Sequence, residues 1–299
     1  MKKSGHKGLR KGIERTMHLL FLACGVIAIA FVAVISVYLI VAGLPAIREV
    51  GLKEFLLGTE WASTHQTDPK FGILPFILTS IYGTAGAVVL GVPIGFLTAL
   101  FLAKAAPRRL AAVIRPAVDL LAGIPSVVYG LVGMIVLVPA IRSVFSLPAG
   151  DSLLAAIVVL AVMILPSVIS VSETALKAVP KEYEEASLAL GATETETWFR
   201  VSVPAAKSGI AAAVVLGVGR AIGEAMAILM VAGNAANMPS LLTSVKFLTT
   251  AIASEMAYAG VGSLQRNALF SIGLVLFLFI MAVNVLLNLL LKREKEGEA

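Results

Sequence analysis

Apolar residues fall into six long runs along the chain, at roughly 18–43, 73–103, 111–141, 152–176, 209–232 and 267–291, with polar segments between them. Each run is long enough for the ~20 residues with which a helix crosses the hydrocarbon core. Only helices and closed barrels satisfy their backbone in lipid, and the runs exceed the ~9–11 residues of a barrel strand. The pattern predicts an all-α polytopic membrane protein with six transmembrane helices. Its expected organisation is a basic tail over 1–17, a transmembrane anchor over 18–43, an extracytoplasmic loop over 44–72, a transmembrane domain over 73–291 and a tail over 292–299. The first run follows a basic segment, as in a signal peptide. Leu19–Gly43 is too long for a signal-peptide apolar core and shows no small-residue cleavage site, so a retained anchor is expected.

Composition sharpens this picture. Hydrophobic residues make up 59% and charged residues 14%, against about 45–50% and about 25% in soluble domains. That excludes an ordinary soluble enzyme or a disordered chain. The formal charge of +6 reads as topology rather than nucleic-acid binding. Seventeen Lys and Arg lie in the two tails and in the segments after runs two and four, against six in the other three segments. This bias places both termini in the cytoplasm. The single cysteine, Cys24, excludes an intramolecular disulfide, and His6, His18 and His65 are scattered, so no metal site is expected.

Two kinds of residue inside the runs carry candidate chemistry. Arg220 and Glu224 sit near the middle of run five. A charge at that depth costs roughly 2.5–3.5 kcal/mol on insertion scales, so such residues face the bundle interior and mark pathways. Their i,i+4 spacing predicts one helix face, where they either pair structurally or serve a passing anion. A guanidinium suits bidentate oxyanion binding and keeps its charge. The second kind is backbone-breaking. Gly123 and Pro125 in run three, and Pro166 in run four, predict helix breaks. Ser126 and Tyr129 follow the first break and either line the pathway or pack. Arg115 and Asp119 are i,i+4 and predict an interfacial pair, and Glu173 is expected to snorkel or cap.

The polar segment 177–208 predicts a helical hairpin. Pro180 opens a first helix rich in acids, Gly191 breaks it, and Thr193 with Glu196 fits a capping box for a second helix ended by Pro204. Tyr183, Trp198 and Phe199 are expected to be exposed there, either to a membrane surface or to a soluble partner.

Here the residues carry a resemblance. Glu185-Ala186-Ser187, three residues, Gly191, nine residues and Val201-Ser202-Val203-Pro204 resemble the EAA loop of bacterial ABC-importer permeases, with Ser187, Val201 and Val203 as conservative departures. Gly123-Ile124-Pro125-Ser126-Val127-Val128-Tyr129-Gly130 and Arg220-Ala221-Ile222-Gly223-Glu224-Ala225 are similar to the phosphate-specific permeases of that family. Phe71-Gly72-Ile73-Leu74-Pro75, with Gly83-Thr84 and the long loop carrying Trp61, looks more like the C-type membrane subunit than its A-type paralogue.

The resemblance covers about 71–291 at motif level. It implies a type I ABC importer permease fold in the bacterial inner membrane, with Glu185, Ala186, Gly191, Trp198, Phe199 and Pro204 in cytoplasmic coupling helices. It also implies an A-type permease as heterodimer partner, two ATPase subunits that bind ATP and magnesium, and an extracytoplasmic phosphate-binding protein. The chain has no phosphate loop of its own, so it would couple to ATP hydrolysis without performing it. Phosphate would pass Arg220, with Glu224 holding or releasing it and Ser126 and Tyr129 along the path. Three alternatives stay open: a sulfate or molybdate importer, a secondary transporter or channel working without ATP, and a non-transporting scaffold or sensor.

Overall fold

The computed structural model describes residues 5–65 and 67–296. It is a bundle of helices, and five of them are long and apolar enough to cross a membrane, with a sixth if one bent pair counts as a single span. The extreme tail residues 1–4 and 297–299, assigned above to the two tails, lie outside the described part.

Helix α1 (Gly5–Val50) is followed by the short α2 (Leu52–Leu57) and a two-stranded hairpin, β1 (Trp61–Ala62) paired antiparallel with β2 (Lys70–Phe71). Among the described residues, the contacts of α1 with α14 include its last turns. Tyr38 stacks edge-on against Phe270, with ring centroids 5.4 Å apart, and Ser271 Oγ donates to Gly43 O at 2.5 Å. A Cβ on Gly43 would lie 2.9 Å from Ser271 N, so only glycine lets the two helices cross this closely.

The centre of the bundle is the pair α3 (Leu74–Leu100) and α7 (Leu153–Lys177). α3 presents a buried small-residue stripe, Gly83, Ala87, Gly91, Gly95 and Ala99, at four-residue spacing. A Cβ on Gly91 would sit 2.8 Å from Ile164 and 2.9 Å from the Ala161 carbonyl oxygen. Lipid gives no hydrophobic drive for helices to associate, so such close backbone contact is what holds the pair. α7 is the most enclosed span, with 61% of its apolar window buried. Pro166 lies inside α7, and the helix continues unbroken through it, which corrects the predicted break. Packing by α3 and α11 on α7 holds the backbone in line across the missing N–H.

Run three divides. α4 (Arg108–Gly123) is an amphipathic helix, and the chain then breaks before α5 (Ser126–Val132). α5 continues through a π-turn at Gly133–Leu137 into α6 (Val138–Val144). The spanning segment is thus Ser126–Val144, shorter and later than the expected 111–141. The hairpin comprises α8 (Lys181–Ala189), α9 (Glu194–Thr197), a π-turn at Trp198–Ser202 and α10 (Val203–Ala205). The chain turns by 71° into α11 (Lys207–Gly223). Pro204 therefore sits inside α10, and the helix ends one residue later than the sequence predicts. α12 (Met226–Val231), an irregular segment, α13 (Leu248–Glu255) and the long α14 (Leu264–Glu296) complete the chain.

Buried apolar residues form three clusters. One is central, around Leu160, Ile164 and Ile228. One is at the Trp61 end, around Phe55, Ile73, Phe76 and Leu269. One is at the hairpin end, around Leu100, Leu176 and Ala206.

Candidate functional site

Two helix breaks meet in the middle of the bundle. α4 stops at Gly123, and Ile124 and Pro125 are extended, with ψ 127° and 142°. Pro125 has no N–H and pushes the residue before it out of the helical region. One carbonyl at the break finds a new donor, because Tyr129 O–H donates to Leu121 O at 2.6 Å. α11 stops at Gly223, and Glu224 is extended with ψ 131°. Its carboxylate turns forward, and Oε1 accepts the Ala227 N–H at 2.9 Å at the start of α12. Thr249 Oγ1 donates to the Glu224 backbone oxygen at 2.7 Å. α5 and α12 then pack face to face, and a Cβ on Gly130 would lie 2.9 Å from Ala227 Cα.

Of the two readings left open for Arg220 and Glu224, this geometry excludes the structural ion pair. Arg220 lies in the last turn of α11, whereas Glu224 lies past the helix end with its carboxylate committed to α12. The half-buried Arg220 guanidinium lies within electrostatic reach of the Tyr129 phenol. Among the described residues it has no carboxylate or hydrogen-bond partner. Ser126 is half-buried at the first position of α5. The structure therefore gathers Arg220, Tyr129, Ser126 and Glu224 around two adjacent breaks. It leaves the guanidinium without a partner among the described residues and gives Tyr129 and Glu224 backbone-stapling bonds.

Two surface recesses among the described residues do not suit an anion. An apolar groove of about 430 Å³ is lined by Ile124, Val132, Val136, Val159 and Val162, with Tyr129 on its wall. A recess of about 550 Å³ at the Trp61 end carries Glu49, Glu54, Glu60 and Asp68 against the single Lys70. Neither sets a net positive charge in low dielectric, as Arg220 does.

At the hairpin end, Glu173 gathers charges. Its Oε1 accepts Arg115 Nε at 2.7 Å and Lys177 Nζ at 2.6 Å, while Arg115 also donates to Leu102 O at 3.0 Å. Arg115 thus pairs with Glu173 and not with Asp119, which is exposed. Glu173 offers a largely buried carboxylate, and the Leu102 carbonyl just past the end of α3 takes a second guanidinium bond, which the local i,i+4 partner does not provide. This is also what Glu173 does in place of snorkelling.

The hairpin itself follows its sequence closely. Gly191 adopts φ +87°, a left-handed conformation that favours glycine. Thr193 Oγ1 accepts the Glu196 N–H at 3.3 Å, and Glu196 Oε2 accepts the Thr193 N–H at 3.0 Å, so both halves of the capping box form. The two arms are stitched by Ser187 to Thr197 at 2.9 Å. Glu184 accepts from Ser202 Oγ at 2.8 Å within the hairpin and ties it to the bundle by pairing with Lys104. Tyr183, Glu185, Ala186, Leu190, Gly191, Phe199 and Pro204 are exposed. Trp198 is not: it is half-buried against the hairpin-end cluster, which corrects its expected exposure.

One constellation escaped the sequence reading. At the Trp61 end, Glu255 accepts from Trp61 Nε1 at 3.1 Å and Ser63 Oγ at 3.1 Å, and pairs with Lys246 at 2.6 Å. The two charges, nine residues apart in an otherwise uncharged segment, were the available signal. Their pairing with each other and with Trp61 was not.

Comparison with known proteins places this geometry. Residues 91–296 match the family of binding-protein-dependent transport system inner membrane components. A Bacillus subtilis protein named a probable ABC transporter permease, YqgH, is 43% identical over 88% of this chain and 87% of its own. A Haemophilus influenzae phosphate transport system permease, PstC, is 35% identical over 88% of each chain. A chain of a bacterial ABC transporter involved in the import of the acidic polysaccharide alginate superposes with a TM-score of 0.66 at 14% identity, covering 95% of this chain and 98% of the other. A chain of the methionine ABC transporter MetNI gives 0.55 at 20% identity, covering 74% of this chain and 94% of the other. At those identities the two structures speak to the fold alone.

Proposed function

The chain belongs to the family of binding-protein-dependent transport system inner membrane components, and we propose that within this ABC importer family it is the permease subunit that carries inorganic phosphate across the membrane. The observation that carries the proposal is Arg220, a half-buried cation in the last turn of a spanning helix with no acidic partner among the described residues. An unpaired charge at that depth is costly and is retained where it serves a pathway. Phosphate supplies the missing negative charge, and a guanidinium offers it paired donors. The names of several relatives at 31–35% identity, all phosphate transport system permeases, point the same way.

In this reading the hairpin end is cytoplasmic, as are both termini, and the Trp61 end faces outward. An A-type permease completes a heterodimer, and an extracytoplasmic binding protein delivers phosphate. Two copies of an ATPase subunit, holding ATP and magnesium, receive the hairpin through Glu185, Ala186, Gly191, Phe199 and Pro204, with Trp198 bracing it from behind. ATP binding closes the ATPase pair, the hairpin transmits that motion and the permeases rock to open outward. Hydrolysis restores the inward-facing state.

Arg220 holds the anion in transit, while Tyr129 and Glu224 keep the two broken helices open around it by satisfying freed backbone groups. Ser126 adds a hydroxyl at the mouth of α5. The test is radiolabelled phosphate uptake into vesicles carrying the full complex, with unlabelled sulfate and molybdate as competitors. ATP-dependent uptake that resists both competitors, and is abolished by Arg220→Gln with assembly intact, is the expected result. Full competition by sulfate or molybdate moves the substrate, uptake without ATP removes the ATPase coupling, and parental uptake by Arg220→Gln refutes the pathway.

A further inference from the structure

We propose that Glu255 is a positioning residue that keeps the Trp61 end of the pathway closed, acting on the Arg220 site through the two-turn helix α13. The proposal rests on the reading of Arg220 as pathway-lining. At the outer end of α13, both Glu255 oxygens accept from Trp61 Nε1, one also from Ser63 Oγ and the other from Lys246 Nζ. Gln265 Nε2 donates in turn to Ser63 Oγ at 3.2 Å, and the Lys246 ammonium lies 5.9 Å from the Phe76 ring centroid. The Lys246 and Glu255 side chains are only 11% and 17% exposed. The carboxylate thus gathers the loop after α1, the segment before α13 and the start of α14.

At its inner end, α13 grips the break next to Arg220. Thr249 Oγ1 donates to the Glu224 oxygen at 2.7 Å, and the Leu248 N–H donates to the buried Ser80 Oγ on α3 at 3.1 Å. Eight helical residues span about 12 Å, so α13 is a short rigid strut between the covered ion pair and the break. A largely covered carboxylate with three donors does not loosen gradually. It is held, or it leaves Lys246 uncompensated, which gives the strut two distinct positions. A partner docking on the Trp61 surface and drawing Trp61 or Ser63 away would release Glu255, move α13 and pull Thr249 from Glu224. The break would then open toward the outside.

The experiment uses the full complex in proteoliposomes with a Cys24→Ala, Gly223→Cys chain, because a Cβ at Gly223 meets nothing within 4 Å. A membrane-impermeant sulfonated maleimide is applied from the Trp61 side without nucleotide. Glu255→Gln is expected to raise the labelling rate about tenfold, and to raise ATP hydrolysis without binding protein about as much. Thr249→Val is expected to do the same while the outer ion pair stays intact, and Thr249→Ser, which keeps the hydroxyl, to restore the parental rate. A merely structural tie would lower thermal stability without one-sided labelling. Unchanged labelling and hydrolysis in Glu255→Gln and Thr249→Val overturn the gating role and leave the Arg220 pathway standing. No labelling from either face in any nucleotide state overturns the pathway and the proposal together.

Discussion

Arg115 has two candidate partners, and a double-mutant cycle separates them. The structure ties Arg115 Nε to Glu173 Oε1 at 2.7 Å, with Lys177 on the same oxygen at 2.6 Å. The carboxylate side chain is 10% exposed, while the Arg115 and Lys177 side chains are 40% and 47% exposed. Removing one partner of a fully buried pair costs about 3–5 kcal/mol, whereas an exposed pair contributes about 0.2–1 kcal/mol. Here the acid is covered but both cations reach water, so screening removes most of the buried-pair figure. A charge-assisted hydrogen bond of this kind leaves a coupling of about 1–2 kcal/mol. Lost contacts of Arg115 with Leu102 O cancel in the cycle. Unfolding free energies in bicelles, for Arg115→Met and Glu173→Gln singly and together, should show this coupling. The parallel cycle of Arg115→Met with Asp119→Asn should show less than about 0.5 kcal/mol. The reverse ranking would refute the long-range pairing and restore the local one.

Two further outcomes follow from contacts described above. At the Trp61 end, Lys70 lies 2.5 Å from Glu60. Its hydrogen bond and charge hold the Glu60 carboxyl below the usual carboxylate range, while Glu60 raises the Lys70 ammonium. A depressed carboxylate contributes stability above its unfolded value and loses it as pH falls through the folded one. The raised lysine contributes below its unfolded value and loses it as pH climbs through the folded one. A carboxyl NMR titration of Glu60 should therefore show an acid-shifted midpoint that returns to the ordinary range in Lys70→Met, and an unmoved midpoint would contradict the pairing. In the bundle, Gly91→Val forces side-chain atoms against the Ala161 carbonyl of α7, and overpacking of this kind costs about 1–3 kcal/mol. Thermal unfolding in lipid should register that loss, and unchanged stability would mean that the stripe on α3 does not set the α3–α7 distance.

What the sequence made legible was local. The capping box of Thr193 and Glu196 and the turn at Gly191 depend on residues within a few positions of one another, and the structure contains both. The break at Pro125 was equally legible, because proline acts on its own backbone. Pro166 carried the same signal and no break, because the packing of α7 against two neighbours outweighed it. The break at Gly223 had no such signal. There Glu224 caps α12 locally and Thr249 holds its carbonyl, and the second contact appears only once α13 has folded back. Arg115 and Glu255 were misread or missed for the same reason. Their partners lie 58 and 194 residues away in the chain, and no spacing rule reaches that far.

The attachment of α1 by its last turns has a consequence for how the protein meets bilayers of different thickness. Residues 14–50 of this helix number 37, about 55 Å of helix, against a hydrocarbon core of about 30 Å. Even a tilt near 40°, the steep limit for membrane helices, occupies only about 26 residues. The remainder stands clear of the acyl chains, and its final turns supply Ala46 to the cluster that supports Phe55 and Ile73. From Met17 to Val37 the large apolar side chains of α1 face outward, so hydrophobic mismatch acts on a rod fixed at one end. A thinner or thicker membrane is met by inclination about the Gly43–Ser271 crossing, and the elastic strain stays in the rod rather than passing to α3 and α7.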